Sequence, residues 1–273
     1  MFYWLFFEKL LRYYGPFNVF RYHTFRTAGA SLTALFLAIG LGPWMIRKLR
    51  ELNFGQHIRE EGPQSHQKKA GTPTMGGVLI VISIVAPTLL WARLDNPNVW
   101  VAIFSVVSFG LIGFWDDYTK IVRKRNLGLT ARQKLLWQVA AALMVGFFLL
   151  LLHARNAYST AMNVPFFKQF KPDLLIGAWL HNYWTYPLAF LGFYAFLAFV
   201  LVGSSNAVNL TVRWEGLAIG LMVIASGAMT ILSYITGNAR WAQYLDLSHN
   251  PGDSELTIFC AAMVGASLGF LWY

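Results

Sequence analysis

Seven long stretches of the chain are almost continuously apolar, and shorter polar segments separate them. They run over roughly 27–46, 75–93, 99–115, 135–152, 184–205, 216–235 and 256–273. Several approach the ~20 residues a helix needs to cross the hydrocarbon of a bilayer. In lipid each backbone N–H and C=O must find its partner within the segment, so all seven are predicted to be helices. Glycines inside them, such as Gly76, Gly77, Gly110 and Gly113, allow helices to approach closely. The pattern predicts an all-α fold, a polytopic transmembrane helix bundle with about seven helices. It reads as a single integral membrane domain over 1–273, with no obvious internal repeat. Ahead of the first span, residues 1–26 interleave aromatics with Lys9, Arg12, Arg21 and Arg26. This segment lacks the basic start and small-residue cleavage site of a signal peptide. It is expected to lie in the headgroup region, an amphipathic cap on the bundle being the plainer alternative.

Composition strengthens the membrane reading. Of the residues, 56% are hydrophobic and 12% charged, against roughly 25% charged in a soluble domain. The net charge of +10 is explained mainly by topology. The segments 47–74 and 116–134 are rich in Lys and Arg, which places them in the cytoplasm. The N-terminus, 94–98, 153–183 and 236–255 then lie outside, and the turn near 206–215 returns to the cytoplasm. Basic residues scattered over separate loops argue against nucleic acid as a partner. Membrane lipid, or a phosphorylated substrate at the inner face, suits them better. Cys260 is the only cysteine, which excludes an internal disulfide and a cysteine metal cluster. Charges at the membrane faces, rather than in mid-helix, argue against a transporter.

Three cytoplasmic stretches converge on one face in this topology. "GPQSHQKKAGTPTMGG" (62–77) sets His66, Lys68, Lys69, Thr72 and Thr74 among glycines directly before a helix. Such a segment can approach an anion closely, although it lacks the ending of a P-loop. "FWDDYTK" (114–120) ends an apolar run on adjacent carboxylates, Asp116 and Asp117. Paired carboxylates repel, and a bridging Mg²⁺ or work as a general base would resolve the repulsion. Solvated charges balanced by Lys120 are the bland alternative. In "SSNAVNLT" (204–211), Asn206 and Asn209 stand three apart and share a helix face. Their amides suit a base or a sugar, or simply hydrogen bonds between helices.

With "GLTARQK" (128–134) and "GLAIG" (216–220), these stretches resemble the phospho-N-acetylmuramoyl-pentapeptide-transferase family over essentially the whole chain. The resemblance implies a polytopic bacterial inner-membrane enzyme of about ten helices whose active face is cytoplasmic. It implies transfer of phospho-MurNAc-pentapeptide from UDP-MurNAc-pentapeptide to undecaprenyl phosphate, with Mg²⁺ as cofactor. Asp116 and Asp117 would be the catalytic pair, with Asp117 a metal ligand. Lys69, Thr74 and Lys120 would meet phosphates or nucleotide, Asn206 and Asn209 the substrate pocket, and His66 would also bind substrate. A homodimer is left open. A transferase for another UDP-N-acetylhexosamine and a catalytically inactive membrane protein are the competing readings.

Two departures bear on activity. The family pattern after N-L-T is D-G-x-D-G, whereas this chain reads Val212-Arg213-Trp214-Glu215-Gly216. Val212 can neither ligate a metal nor accept a proton. The chain also stops at Tyr273, at the close of an apolar run, so C-terminal truncation is expected. The family's M-G-D segment, with its main Mg²⁺ aspartate, would lie beyond.

Overall fold

A computed structural model describes residues 1–51, 76–122, 128–162, 164, 170–175, 185–211 and 216–273. Two short helices open the chain, a π-helix over Tyr3–Leu10 and a 3₁₀ helix over Gly15–Arg21. Then come α1 (His23–Glu51), α2 (Gly76–Trp91), α3 (Pro97–Val122), α4 (Ala131–Ala154), α5 (Tyr186–Thr211), α6 (Leu217–Gly237), α7 (Ala239–Tyr244) and α8 (Asp253–Phe270). All seven predicted spans are helices. Among the described residues, six are long and apolar enough to cross a membrane, and α2 is a shorter apolar helix. No strand is present among the described residues, only an isolated bridge between Ala161 and Asp173. Phe199 is 78% exposed and Ile224 70%, which suits helices that face lipid rather than water.

α8 packs between α1 and α6, and the buried core lies where it meets α1, α2 and the start of α3. Small residues recur every fourth position along the contact: Ala30, Ala34 and Ala38 on α1, and Ala261, Gly265 and Gly269 on α8. That spacing brings the two backbones together. A Cβ at Gly265 would fall against the carbonyl of Ser31, and one at Gly269 against Ala38 and Leu35. In lipid such close packing, rather than expulsion of water, drives helix association. From this core α3, α4 and α5 extend as successive neighbours.

The first turns of α1 and α8 meet in a buried ion pair. The Arg26 side chain is wholly buried and its guanidinium binds both Glu255 oxygens, at 2.8 and 2.7 Å. Glu255 also accepts the Arg93 backbone N–H at 2.9 Å and lies 3.2 Å from His23 Nε2. Arg26 further donates to the Trp91 carbonyl at 3.3 Å. One carboxylate thereby ties α1, α8 and the residues just after α2 together. The Tyr3 ring lies about 5.0 Å from the Arg26 guanidinium and 4.8 Å from that of Arg93, so the N-terminal helix is held against this knot. α1 starts at His23, slightly ahead of the apolar run, because Arg26 is paired and its helical turn need not stay in water.

Candidate active site

Helices alternate in direction, so the C-terminal ends of α1, α3, α5 and α8 share one end of the bundle, opposite Arg26. Asp116 and Asp117 lie in the last turns of α3. Carboxylates there are disfavoured by the helix dipole, and a lysine one turn on offsets it. Lys120 Nζ is 2.7 Å from Asp116 Oδ2 and 2.9 Å from Asp117 Oδ1, at the i,i+4 and i,i+3 spacings that bring side chains together. Among the described residues, one ammonium thus faces two carboxylates.

The two aspartates are not equivalent. Asp116 is the more enclosed, its side chain 16% exposed against 32% for Asp117. The other oxygen of Asp116 accepts the Leu129 backbone N–H at 2.8 Å. Gly128 makes that approach feasible, since a Cβ there would overlap the Asp116 carboxyl. Thr130 then caps α4 in a capping box with Gln133. The stretch "GLTARQK" is therefore a mechanical unit: a glycine that touches Asp116, an amide that holds it, and a cap that restarts the chain as a helix. Asp117, bound at one oxygen by Lys120, is the one that can turn to a ligand.

Asn206 does a different job from Asp117. Its amide donates to Gln138 Oε1 at 2.8 Å and to the Val202 carbonyl at 2.9 Å, while Gln138 Nε2 donates to Ser205 at 3.2 Å. This part-buried amide bridge ties α4 to α5, and Asn209 stays exposed one turn further on. His66, Lys69 and Thr74 lie outside the described residues, as do Val212 to Glu215. The structure therefore brings Asp116, Asp117 and Lys120 together and places Asn206 and Asn209 at the same end of the bundle. Sequence reasoning passed over Gln138, a lone amide within an apolar run, and the contact of Gly128 and Leu129 with Asp116. Among the described residues no three His, Cys, Asp or Glu side chains gather as a metal site. A half-exposed carboxylate backed by a second one still suits Mg²⁺, which takes one or two carboxylates and completes its shell with substrate phosphates and water.

The chain is similar to known proteins over its whole length. Residues 99–273 match the glycosyl transferase family 4 model, and residues 69–81 match phospho-N-acetylmuramoyl-pentapeptide-transferase signature 1. The phospho-N-acetylmuramoyl-pentapeptide-transferase of Solibacter usitatus is 60% identical across 100% of this chain and 72% of its own length. Those of Koribacter versatilis and Acidobacterium capsulatum are each 56% identical across 100% of the chain, and 73% and 72% of their own lengths. Together with the apolar helices, these relatives make the chain a multi-pass bacterial membrane protein. The chain belongs to glycosyl transferase family 4 and, within it, to the phospho-N-acetylmuramoyl-pentapeptide-transferases.

Proposed function

We propose that the chain transfers phospho-MurNAc-pentapeptide from UDP-MurNAc-pentapeptide to undecaprenyl phosphate, giving lipid I and UMP at the cytoplasmic face of the inner membrane. An oxygen of the lipid phosphate bonds to the sugar-bearing phosphorus, and the bond from that phosphorus to the UMP oxygen breaks. The observation that supports this most is the half-exposed Asp117, held with Asp116 against one lysine in the last turns of α3, where a helix spanning the bilayer would emerge. A polyprenyl phosphate keeps its chain in the bilayer and its phosphate at that depth. Asp117 orients the attacking phosphate oxygen or takes its proton, and Asp116 fixes the position of Lys120. Lys120, with Lys69, Thr74 and His66, meets the phosphates or nucleotide, where positive charge stabilises developing oxyanions. Asn206 and Asn209 border the substrate pocket. Asp117, with Asp116 behind it, would hold Mg²⁺, which supplies charge compensation at phosphate oxygens.

The test is UMP release from membranes carrying the chain, given undecaprenyl phosphate and either UDP-MurNAc-pentapeptide or UDP-GlcNAc. The expected result is release with the first donor alone, abolished by EDTA. Release with UDP-GlcNAc alone would move the chain to another substrate. A properly inserted chain that released nothing would support the inactive reading, which Val212 favours by standing where the family has an acidic residue.

A further inference from the structure

At the Arg26 end, away from the aspartates, lies a second concentration of charge for which the transfer reaction has no use. A cleft of about 480 Å³ opens there between the start of α1 and the end of α6, over the first turn of α8. Arg21, His23, Arg26 and Arg93 line it, with Tyr22 and Tyr234, and no described carboxylate does. Arg21 is exposed and has no ion-pair partner among the described residues. Arg93 is paired with Asp95 at 2.6 Å. Arg26 is wholly buried, yet its Nε has no hydrogen-bond partner among the described residues. Arg26 is engaged by Glu255 behind the cleft wall, so Arg21 is the lining guanidinium without an ion-pair partner among the described residues and the one placed to meet an acceptor. Phosphate oxygens pair well with guanidinium donors.

The walls of the cleft indicate where the phosphate comes from. Tyr22, just ahead of α1, is followed on that helix by exposed Phe25, Leu32 and Phe36 at helical spacing. On α6, Tyr234 continues into exposed Ile231 and Ile224 along one face. An apolar stripe thus leads from each side of the cleft toward the bilayer interior, as acyl chains beneath a headgroup require. We propose that this cleft binds the headgroup phosphate of an anionic membrane lipid, with its acyl chains along α1 and α6.

The test uses the full chain, purified in detergent and stripped of lipid. It is titrated with dioleoyl phosphatidylglycerol or dioleoyl phosphatidylcholine and read by native mass spectrometry. The anionic phosphatidylglycerol should bind several-fold more tightly. Arg21→Gln should weaken it roughly fivefold, the worth of one surface cation toward anionic lipid, with an unchanged lipid-free melting temperature. Arg12→Gln removes the same charge from an exposed site outside the cleft and should change nothing. Equal binding of the two lipids, or an equal loss in Arg12→Gln, would overturn the proposal. Full competition by millimolar inorganic phosphate would assign the cleft to the free anion and also overturn the lipid reading.

Discussion

The two ends of the bundle handle charge in opposite ways. At one, Glu255 is buried and engaged by a guanidinium, a backbone amide and an imidazole. At the other, an enclosed Asp116 and a more open Asp117 divide a single lysine. A buried carboxylate with every partner in place has nothing left to offer a substrate, and removing it strands a charge. A carboxylate that is short of partners and open to solvent costs the fold little and can change partners during a reaction. Structural and reactive charge are thus told apart by saturation and burial, not by residue type.

The sharpest way to break the contrast is to neutralise each end in turn. Asp117→Asn should lower the rate of UMP release by about 10²–10⁴-fold, the usual contribution of a positioned acid–base group. Its melting temperature in detergent should stay that of the parent chain. A variant that turned over normally would remove Asp117 from the chemistry. Glu255→Ala should do the reverse, costing about 3–5 kcal/mol of stability through the stranded Arg26, read as a large drop in melting temperature. The double variant Arg26→Met, Glu255→Met should regain much of that loss; if it is no better than Glu255→Ala, the ion pair is not what the site needs.

A smaller effect is expected between the two ends. Gly265→Ala forces a methyl against the Ser31 carbonyl and should cost about 1–3 kcal/mol, as overpacking does. Unchanged melting would show that α1 and α8 are less closely held than the core suggests. The smallest effect concerns pH. The hydrogen bond from Arg93 holds the Asp95 carboxyl below its ordinary range, against a weaker opposing effect of burial. Its stabilising contribution is present above the ordinary aspartate pKa of about 3.9 and is lost as pH falls through the lowered folded-state value. Melting temperature should therefore decline slightly more steeply in acid for the parent chain than for Asp95→Asn, and parallel curves would show that the exposed pair contributes nothing.

How much of this was legible in the sequence follows from distance along the chain. The spans were readable because their apolar runs are local and long. Their ends were not: α3 carries on through Asp116 and Asp117 to Val122 because Lys120, one turn on, lets charged residues stay helical. The six-residue α7 escaped notice since its cause is a single cap, the Asn238 side chain accepting from Arg240 and Trp241. The carboxylate pair and its lysine could be found, because i,i+3 and i,i+4 neighbours are fixed by helix geometry. Gln138, the partner of Asn206, could not, since that contact joins residues 68 apart. Arg26 and Glu255 read as unremarkable charges at the starts of two apolar runs, and only the fold makes them one group.

That last separation also has a consequence in time. Arg26 and Glu255 are 229 residues apart. At the usual ~5–20 residues per second of synthesis, Arg26 waits roughly 10–50 s for its carboxylate. Through that interval α1 sits in the membrane with an uncompensated guanidinium, and the small-residue face meant for α8 is bare. The helix laid down first is finished only when one of the later helices arrives. A ribosome that stalls beyond α6 would leave in the bilayer a chain whose spans are inserted but whose core has not yet formed.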